Sequence, residues 1–183
     1  MWNRIIVSVG LAITIQLLNG CTTIQASQTN QSQAMKEMEQ FITCNFFEMN
    51  KSGEAFKQIE EFKQQGLVEP IRNTRGFQFR VVGELDLLGL QPAYIGHVHG
   101  EHIGPFARFD EDYKAVVSSI EARDIKLVKQ VSKSGHILYL GEKQGYWRLI
   151  VIPIPLDILQ QERSPLPSSS VDSTLVQCIY QGP

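Results

Sequence analysis

The chain has 183 residues, of which 43% are hydrophobic, and its formal net charge at pH 7 is −2. Charges of both signs are interspersed and there is no basic excess, which argues against both a disordered polymer and a nucleic-acid-binding protein. The length fits one domain or two very small ones.

The first twenty residues are typical of a secretory signal peptide. Arg4 lies in a short basic start, and the run from Ile5 to Leu18 carries no charge. A membrane-spanning helix needs roughly 20 apolar residues, so this run is too short to span. Gly20 supplies the small residue expected before a cleavage point. We therefore predict that residues 1–20 are removed.

The end of this run carries a specific motif. Leu18-Asn19-Gly20-Cys21 resembles the lipobox of bacterial lipoproteins, in which an aliphatic residue, a variable residue, and Gly or Ala precede a cysteine. The resemblance implies a diacylglycerol thioether and an acylated amine on Cys21, and the non-acidic Thr22 implies the outer membrane. Several acyl chains anchor stably, so we expect a lipid anchor on the periplasmic face. The alternatives are an ordinary signal peptide with an incidental cysteine, or an uncleaved anchor.

The cysteine count becomes informative once the compartment is assigned. Using Cys21 for lipid leaves Cys44 and Cys178, an even pair in an oxidising periplasm. We predict a disulfide between them, which would tie the N-terminal helix to the C-terminal strand. Two unpaired buried thiols are the alternative.

The mature chain is predicted to begin with a tether and two helices. Residues 21–32 are rich in Thr, Gln, Ser and Asn and form a flexible tether, and residues 33–183 form a single α+β domain. The first helix shows apolar residues at helical spacing, namely Met35, Met38, Ile42, Phe46 and Met49. The second has Ser52 as its N-cap and Gly66 at its end, with three inward residues, namely Phe56, Ile59 and Phe62.

Strands and a third helix follow. Residues 70–75 are predicted to be a loop, residues 77–81 alternate as in a half-buried strand and Leu85 and Leu87 continue the same face. Two further strand segments come next, namely residues 94–99 and residues 103–109, the latter expected at a sheet edge because of Pro105. Asp110 is expected to cap the third helix, whose inward residues are Tyr113, Val116, Val117 and Ile120.

The C-terminal third is predicted to contain two hairpins and a short last strand. Three strands, at residues 125–131, 136–140 and 146–154, are separated by turns at residues 132–135 and 142–145. A Pro and Ser rich connector covers residues 157–172, and residues 174–180 form a short strand with Cys178. The fold class is therefore α+β, with two N-terminal helices, one further helix, and an antiparallel sheet of about six strands besides the last short one.

One cluster could carry chemistry. Three of the four histidines lie in the segment from His97 to His102. Residues two apart on a strand share a face and lie roughly 6.6 Å apart, so His97 and His99 could bind one ion, with Glu101 and His102 supplied by the following turn. Imidazole is a good ligand for zinc, copper or nickel.

The same segment resembles the His-x-His-x-Asp-His-x-Gly metal loop of the metallo-β-lactamase superfamily, with Glu101 in place of the aspartate. The resemblance covers eight residues and implies a zinc-dependent hydrolase, but the flanks differ and no matching downstream ligand motif follows. The alternative is structural: Tyr94 and Val98 face the core, His97 and His99 face water, and residues 100–102 form a turn. His136 is interpreted as a strand-end residue.

Other catalytic arrangements are not found in the sequence. No Gly-x-Ser-x-Gly turn exposes a serine, and no glycine-rich phosphate loop follows a strand. We therefore predict a non-enzymatic, lipid-anchored binding or structural module of the cell envelope with a protein partner, without nucleic acid and without a cofactor. The alternative function is metal binding or metal-dependent hydrolysis through the four residues of the histidine cluster.

Overall fold

Eight antiparallel strands form one sheet and three helices accompany it within the described residues, which confirms the predicted α+β class. The computed structural model describes residues 33–45, 54–71, 77–98, 104–132, 135–155 and 172–182. The helices are α1 (residues 33–42), α2 (Glu54–Gln64) and α3 (Tyr113–Glu121). The strands are β1 (Val68–Pro70), β2 (Phe77–Val81), β3 (Tyr94–Val98), β4 (Gly104–Phe109), β5 (Val128–Val131), β6 (Ile137–Gln144), β7 (Trp147–Ile154) and β8 (Ser173–Tyr180).

The strand order across the sheet is β1-β2-β3-β4-β8-β7-β6-β5. Strands β1 to β4 therefore follow one another as a meander, and β5 to β8 form a second meander that runs back toward the first. The two halves join where the last strand, β8, pairs with β4. Helix α3 lies on the connection from β4, in the middle of the sheet, to β5, at its edge, and it contacts β7 and β8.

One face of the central strands carries an apolar row, and α3 contacts two of these strands, β7 and β8. Ile95, Ala107, Val176 and Val151 are neighbours in register on four consecutive strands, and all four are fully buried. Tyr139 continues the row on β6 and its ring packs on Tyr113 of α3, with centroids 5.8 Å apart. The row therefore forms a helix-facing core, and burial of its apolar surface stabilises the sheet and α3 together.

The opposite face of the same strands is also buried. A cluster of Tyr94, Phe106, Ile154 and Leu175 forms a second core, against which Ile71 and Ile152 pack. All residues of β4 and seven of the eight residues of β8 are buried. The centre of the sheet is thus covered on both sides, unlike the many antiparallel sheets that leave one face in water.

Helix ends follow local chemistry that the sequence partly predicts. Gly66, at φ +70°, ends α2, with the Leu67 N–H donating to Phe62 and the Gly66 N–H donating to Lys63, which confirms the predicted stop. The predicted cap of α3 is wrong. Asp112 is the N-cap and accepts from the backbone N–H of Lys114 at 2.7 Å, because Asp110 is engaged by buried partners elsewhere.

Several strand bounds differ from the expected ones. The described part of the chain forms eight strands where about six and a last short one were predicted. Val68–Pro70, partly assigned to a loop, is a short edge strand paired with β2. Leu85 and Leu87 are buried but do not extend β2, since Leu87 makes only an isolated bridge with Leu90. Their burial comes from loop packing and not from strand alternation.

Both predicted hairpins are present. Gly135, at φ +86°, donates to the Ser132 carbonyl and closes the β5–β6 turn, as predicted. The β6–β7 turn is shorter than predicted, because residues 142–144 belong to β6 and Gly145, at φ +60°, makes the turn. A register shift between Leu140 and Lys143 accommodates the longer strand.

The positions of β4 and β8 in the sheet differ most from the predicted ones. Strand β4 is internal and not at an edge: Pro105 pairs with His97 of β3, but the ladder with β8 begins one residue later, at Phe106. The missing N–H of Pro105 therefore lies outside the β4–β8 ladder. Strand β8 is eight residues long and central, whereas the sequence analysis predicted a short final strand.

The predicted disulfide is confirmed. Cys44, two residues after α1, is bonded to Cys178 of β8, with Cα atoms 5.2 Å apart and a sequence separation of 134. Both cysteines are buried, at 1% and 0% exposure. The bond thus joins the end of the first described helix to the strand that connects the two halves of the sheet.

The chain divides into two units, Met1–Ala34 and Met35–Pro183. The strands above all belong to the second unit. The predicted signal peptide, the tether, Cys21 and nearly all of the 157–172 connector lie outside the described residues. None of the helices described is long and apolar enough to cross a membrane.

Candidate functional site

The predicted metal cluster is described only at its first residue. His97 lies in β3 and is 4% exposed, whereas His99, Glu101 and His102 lie outside the described residues. Among the residues that are described, no group of three or more His, Cys, Asp or Glu side chains could hold a metal ion. Metal binding by the histidine cluster stays a prediction.

His97 is a core residue and not a surface one. Its neighbours in register are Phe77 of β2 and Pro105 of β4, and it shares a sheet face with the fully buried Ile95. The structural alternative, in which His97 faces water, is therefore wrong for this residue. Strand alternation alone could not reveal this, because both faces of β3 are covered.

The most distinctive polar group in the described core is Arg108, on β4. Its side chain is fully buried. The guanidinium lies over the ring of Tyr94 at 4.0 Å from the centroid, and its Nη2 is 3.3 Å from the Asp110 carboxylate. Burial lowers the pKa of Arg108, while the carboxylate of Asp110 and then the Tyr94 side chain oppose the shift. An arginine keeps its charge under such a shift, so the core holds a buried cation.

Asp110 links this cation to the last strand. Its Oδ1 accepts a hydrogen bond from the Ser173 hydroxyl at 2.6 Å, while the neighbouring Thr174 hydroxyl donates to the Glu111 carbonyl at 3.0 Å. These bonds fix the start of β8 against the segment that leads into α3. The Ser173 hydroxyl is thus bonded to a carboxylate that balances Arg108, which is a structural arrangement and not an activated nucleophile.

A cleft of about 390 Å³ opens beside this network. Four acidic residues and Tyr113 lie on its wall, and the start of β8 and the end of β7 complete it. Its lining is Asp110, Glu111, Asp112, Tyr113, Pro153, Ile154, Pro155, Asp172, Ser173 and Thr174. Two of the carboxylates have structural roles, since Asp110 bonds Ser173 and Asp112 caps α3. The arrangement favours cationic groups at its mouth but assembles no acid and base pair.

Tyr113 connects the cleft to the sheet. Partial burial, and next a hydrogen bond with Tyr113, raise the pKa of Tyr139 above its usual value. The Tyr139 phenol therefore stays protonated at neutral pH. The two rings form a packing contact between α3 and β6.

A second, more polar cleft of about 290 Å³ lies near the disulfide. Thr43 and Asn45, on either side of Cys44, form part of its wall, together with Arg123 and Lys126 from the segment after α3. The Thr43 hydroxyl donates to the Glu39 carbonyl at 2.6 Å. Mixed charges line this cleft, and no catalytic combination is assembled in it.

Local sequence does not show that Arg108, Asp110 and Ser173 form a network. Arg108 follows an apolar, Pro-interrupted segment and was predicted only as part of the strand at residues 103–109. A signal was present nonetheless, because Asp110 lies two residues from Arg108 and could share its side of the strand. The contribution of Ser173 depends on the pairing of β4 with β8, which the sequence does not contain locally.

Comparisons with protein-family models, with curated proteins and with solved structures give no match for this chain. The function must therefore be argued from the residues and their geometry.

Proposed function

We propose that the protein is a lipid-anchored module of the bacterial cell envelope that binds a protein partner. The observation that carries the proposal is the disulfide between Cys44 and Cys178. Disulfides persist in oxidising compartments such as the periplasm. The same compartment is implied independently by Leu18-Asn19-Gly20-Cys21, which resembles a lipobox, so two unrelated features of the chain agree.

The geometry of the described core supports binding over catalysis. The carboxylate of Asp110 balances Arg108 and accepts from Ser173, and Asp112 caps a helix. Side chains with these structural partners are not poised to exchange protons with a substrate, as general acids and bases must be. A folded domain with the predicted flexible tether at its N-terminus fits a module that presents a surface within a limited reach of a membrane.

Metabolic labelling tests the anchor. The full chain, expressed in a bacterium with an outer membrane, is expected to incorporate labelled palmitate and to sediment with the outer membrane, whereas Cys21→Ser loses both properties. The matched control is the pair Cys44→Ser and Cys178→Ser, which removes two cysteines but leaves Cys21 and must retain the label. An unlabelled wild-type chain contradicts the lipid anchor.

Crosslinking in intact cells tests the binding role. Photo-reactive residues placed at exposed positions of the sheet edges and helices are expected to capture a defined envelope protein at a subset of positions. Uniform absence of a crosslinked partner, together with turnover of a small molecule by the purified chain, contradicts the proposal.

A further inference from the structure

Strand β5 is an open edge of the sheet. It is the last strand in the order, β6 is its one partner among the described strands, and all four of its residues are exposed. Val128 and Val131 are 59% and 64% exposed. The opposite edge, β1, has only three residues and buries Val68. Strand β5 is therefore the edge with more accessible backbone and more exposed apolar surface.

The hairpin register determines which backbone groups of β5 face outward. The Ser132 N–H donates to the His136 carbonyl at 2.9 Å. Bonded and non-bonded pairs alternate along an antiparallel ladder, so the bonded pairs are Ser132 with His136, Gln130 with Leu138, and Val128 with Leu140. The residues between these positions, Lys129 and Val131, direct their N–H and C=O groups away from β6. The edge thus offers donors and acceptors at two positions with strand spacing.

The strand and its hairpin carry basic side chains, while Asp124 and Glu142 line one cleft with Lys126 at the start of the segment. The sequence from Ile125 to Gly141 contains three lysines and one histidine and no acidic residue. Lys126 and Lys129 are both exposed. A second copy of the chain paired edge to edge would bring these lysines together, and like charges opposite each other destabilise strand pairing. An acidic strand would instead gain complementary charge.

We propose that β5 binds an extended acidic segment of a partner protein by strand addition. The main-chain groups of Lys129 and Val131 would supply the hydrogen bonds, Lys126 and Lys129 would select acidic side chains, and the exposed valines would contact apolar ones. A lipid surface offers no ordered row of donors and acceptors at strand spacing, so a peptide strand fits this edge better. This inference rests on the proposed binding function and names the chemistry of its partner.

Peptide binding to the full chain in detergent micelles tests the proposal. The probe is a fluorescent peptide of about eight residues, a common strand length, that alternates Val or Thr with Glu. Two comparison peptides replace Glu by Lys, or place Pro at alternate positions to remove backbone donors. Fluorescence anisotropy is expected to show binding of the acidic peptide and at least about tenfold weaker binding of both comparison peptides.

Two pairs of variants locate the site. Val131→Pro removes an outward N–H without removing a bond to β6, and we expect it to weaken binding of the acidic peptide at least about tenfold. Val131→Thr keeps the N–H and is expected to bind the acidic peptide nearly as tightly as the wild type. Lys129→Glu is expected to reverse the preference toward the lysine peptide. Lys57→Glu, the same charge change at an exposed position on α2, is the matched control and must leave the preference unchanged.

Several results would overturn the inference. Equal binding of the acidic and proline peptides excludes strand addition. If Lys129→Glu still prefers the acidic peptide over the lysine peptide, charge selection is excluded. This second result does not depend on whether Val131→Pro folds. A concentration-dependent dimer lost in Val131→Pro assigns the edge to a second copy, and binding of anionic vesicles without peptide binding assigns it to lipid. A partner captured in cells only at positions remote from β5 rejects this edge while leaving the binding module itself supported.

Discussion

Arg108 is the one Lys, Arg, Asp or Glu side chain among the buried residues that the structure describes. A fully buried guanidinium loses its hydration, and a buried charge is tolerated only when it is paired and hydrogen-bonded. Here the Tyr94 ring contributes a cation–π contact and Asp110 supplies the opposite charge. Because the side chain of Asp110 is itself about one-third exposed, solvent screens part of the attraction, and the pair contributes less than an enclosed one.

Neutralising Asp110 should therefore destabilise the fold by a moderate amount. Asp110→Asn keeps an acceptor for the Ser173 hydroxyl but removes the charge opposite Arg108, and we expect a loss of about 1–2 kcal/mol in the free energy of unfolding. Glu111→Gln, on the wall of the same cleft, is the control and should change the stability by less than about 0.5 kcal/mol. Urea unfolding monitored by tryptophan fluorescence measures both.

A double-mutant cycle identifies the partner. In an Arg108→Met background the charge of Asp110 has no buried cation to balance, so Asp110→Asn should cost much less than in the wild type. An equal cost in both backgrounds would mean that the charge of Asp110 stabilises the fold independently of Arg108.

Residue-scale chemistry was predictable only where it did not depend on strand order. The pairing of Cys44 with Cys178 could be predicted because counting cysteines needs no geometry. The burial of His97 could not, since its alternation with Val98 is the same in a half-exposed strand and in a strand covered on both faces. The bond from Ser173 to Asp110 likewise requires β8 to lie beside β4.

At the scale of elements, Glu39 of α1 joins three parts of the fold. Its Oε1 accepts from the backbone N–H of Leu88 at 2.6 Å, and its carboxylate pairs with Arg123 after α3 at 3.1 Å. Leu88, at φ +63°, is bonded on its other side by the Ser119 hydroxyl of α3, which donates to the Leu88 carbonyl. Helices α1 and α3 thus hold one strained loop residue from both sides.

Two substitutions separate the two roles of this carboxylate. Glu39→Gln keeps an acceptor for Leu88 but loses the charge, and we expect a cost of about 0.5–1 kcal/mol, because the Arg123 side chain is 35% exposed. Glu39→Ala also leaves the Leu88 N–H without its acceptor and should cost about 2 kcal/mol in total. Urea unfolding at low and high salt measures the loss in the free energy of unfolding for both variants. Only the contribution of the Glu39–Arg123 ion pair to that loss should decrease with salt.

The exposed pair of Glu60 and Lys63 on α2 provides the control. Glu60→Gln removes a similar ion pair that holds no second element, so its cost should be close to zero. If Glu39→Ala cost no more than Glu60→Gln, the Leu88 junction would not contribute to stability.

Element type was largely predictable, and element position was not. Helical spacing and hairpin turns depend on neighbouring residues, so α2, α3 and the β5–β6 hairpin follow from local sequence. Val68–Pro70 is too short to show a period, and its strand state depends on pairing with β2. Pro105 favoured an edge strand because proline has no N–H to donate to a neighbouring strand. The ladder between β4 and β8 starts at Phe106, so β4 can be internal without needing that donor.

At the scale of the whole molecule, β8 joins the sheet into one unit. It is the last strand in the chain, yet it lies between β4 and β7 and connects the two meanders. The pairing of β4 with β8 that combines the halves is therefore long-range in sequence, and the unfolded chain loses entropy in forming it. The disulfide from Cys44 to Cys178 attaches α1 to this same strand and closes a loop that contains most of both halves.

The disulfide should accordingly stabilise the protein mainly through the unfolded state. For a sequence separation of 134 the chain-entropy estimate is about 5 kcal/mol, and measured effects are often smaller, so we expect the double variant Cys44→Ser and Cys178→Ser to lose about 3–5 kcal/mol. Without the disulfide, the unfolded chain of the double variant is less compact than that of the wild type. We therefore expect the double variant to have a larger denaturant m-value as well as a lower stability.

Guanidinium unfolding of the wild type and the double variant measures both quantities. Cys21→Ser removes a cysteine outside the bonded pair and serves as the control, with unchanged stability and m-value in detergent micelles. A loss of stability with an unchanged m-value would place the effect in the folded state, in the packing of the buried sulfur atoms against α1 and β8. A double variant as stable as the wild type would mean that the contacts of β8 alone hold the two halves of the sheet together.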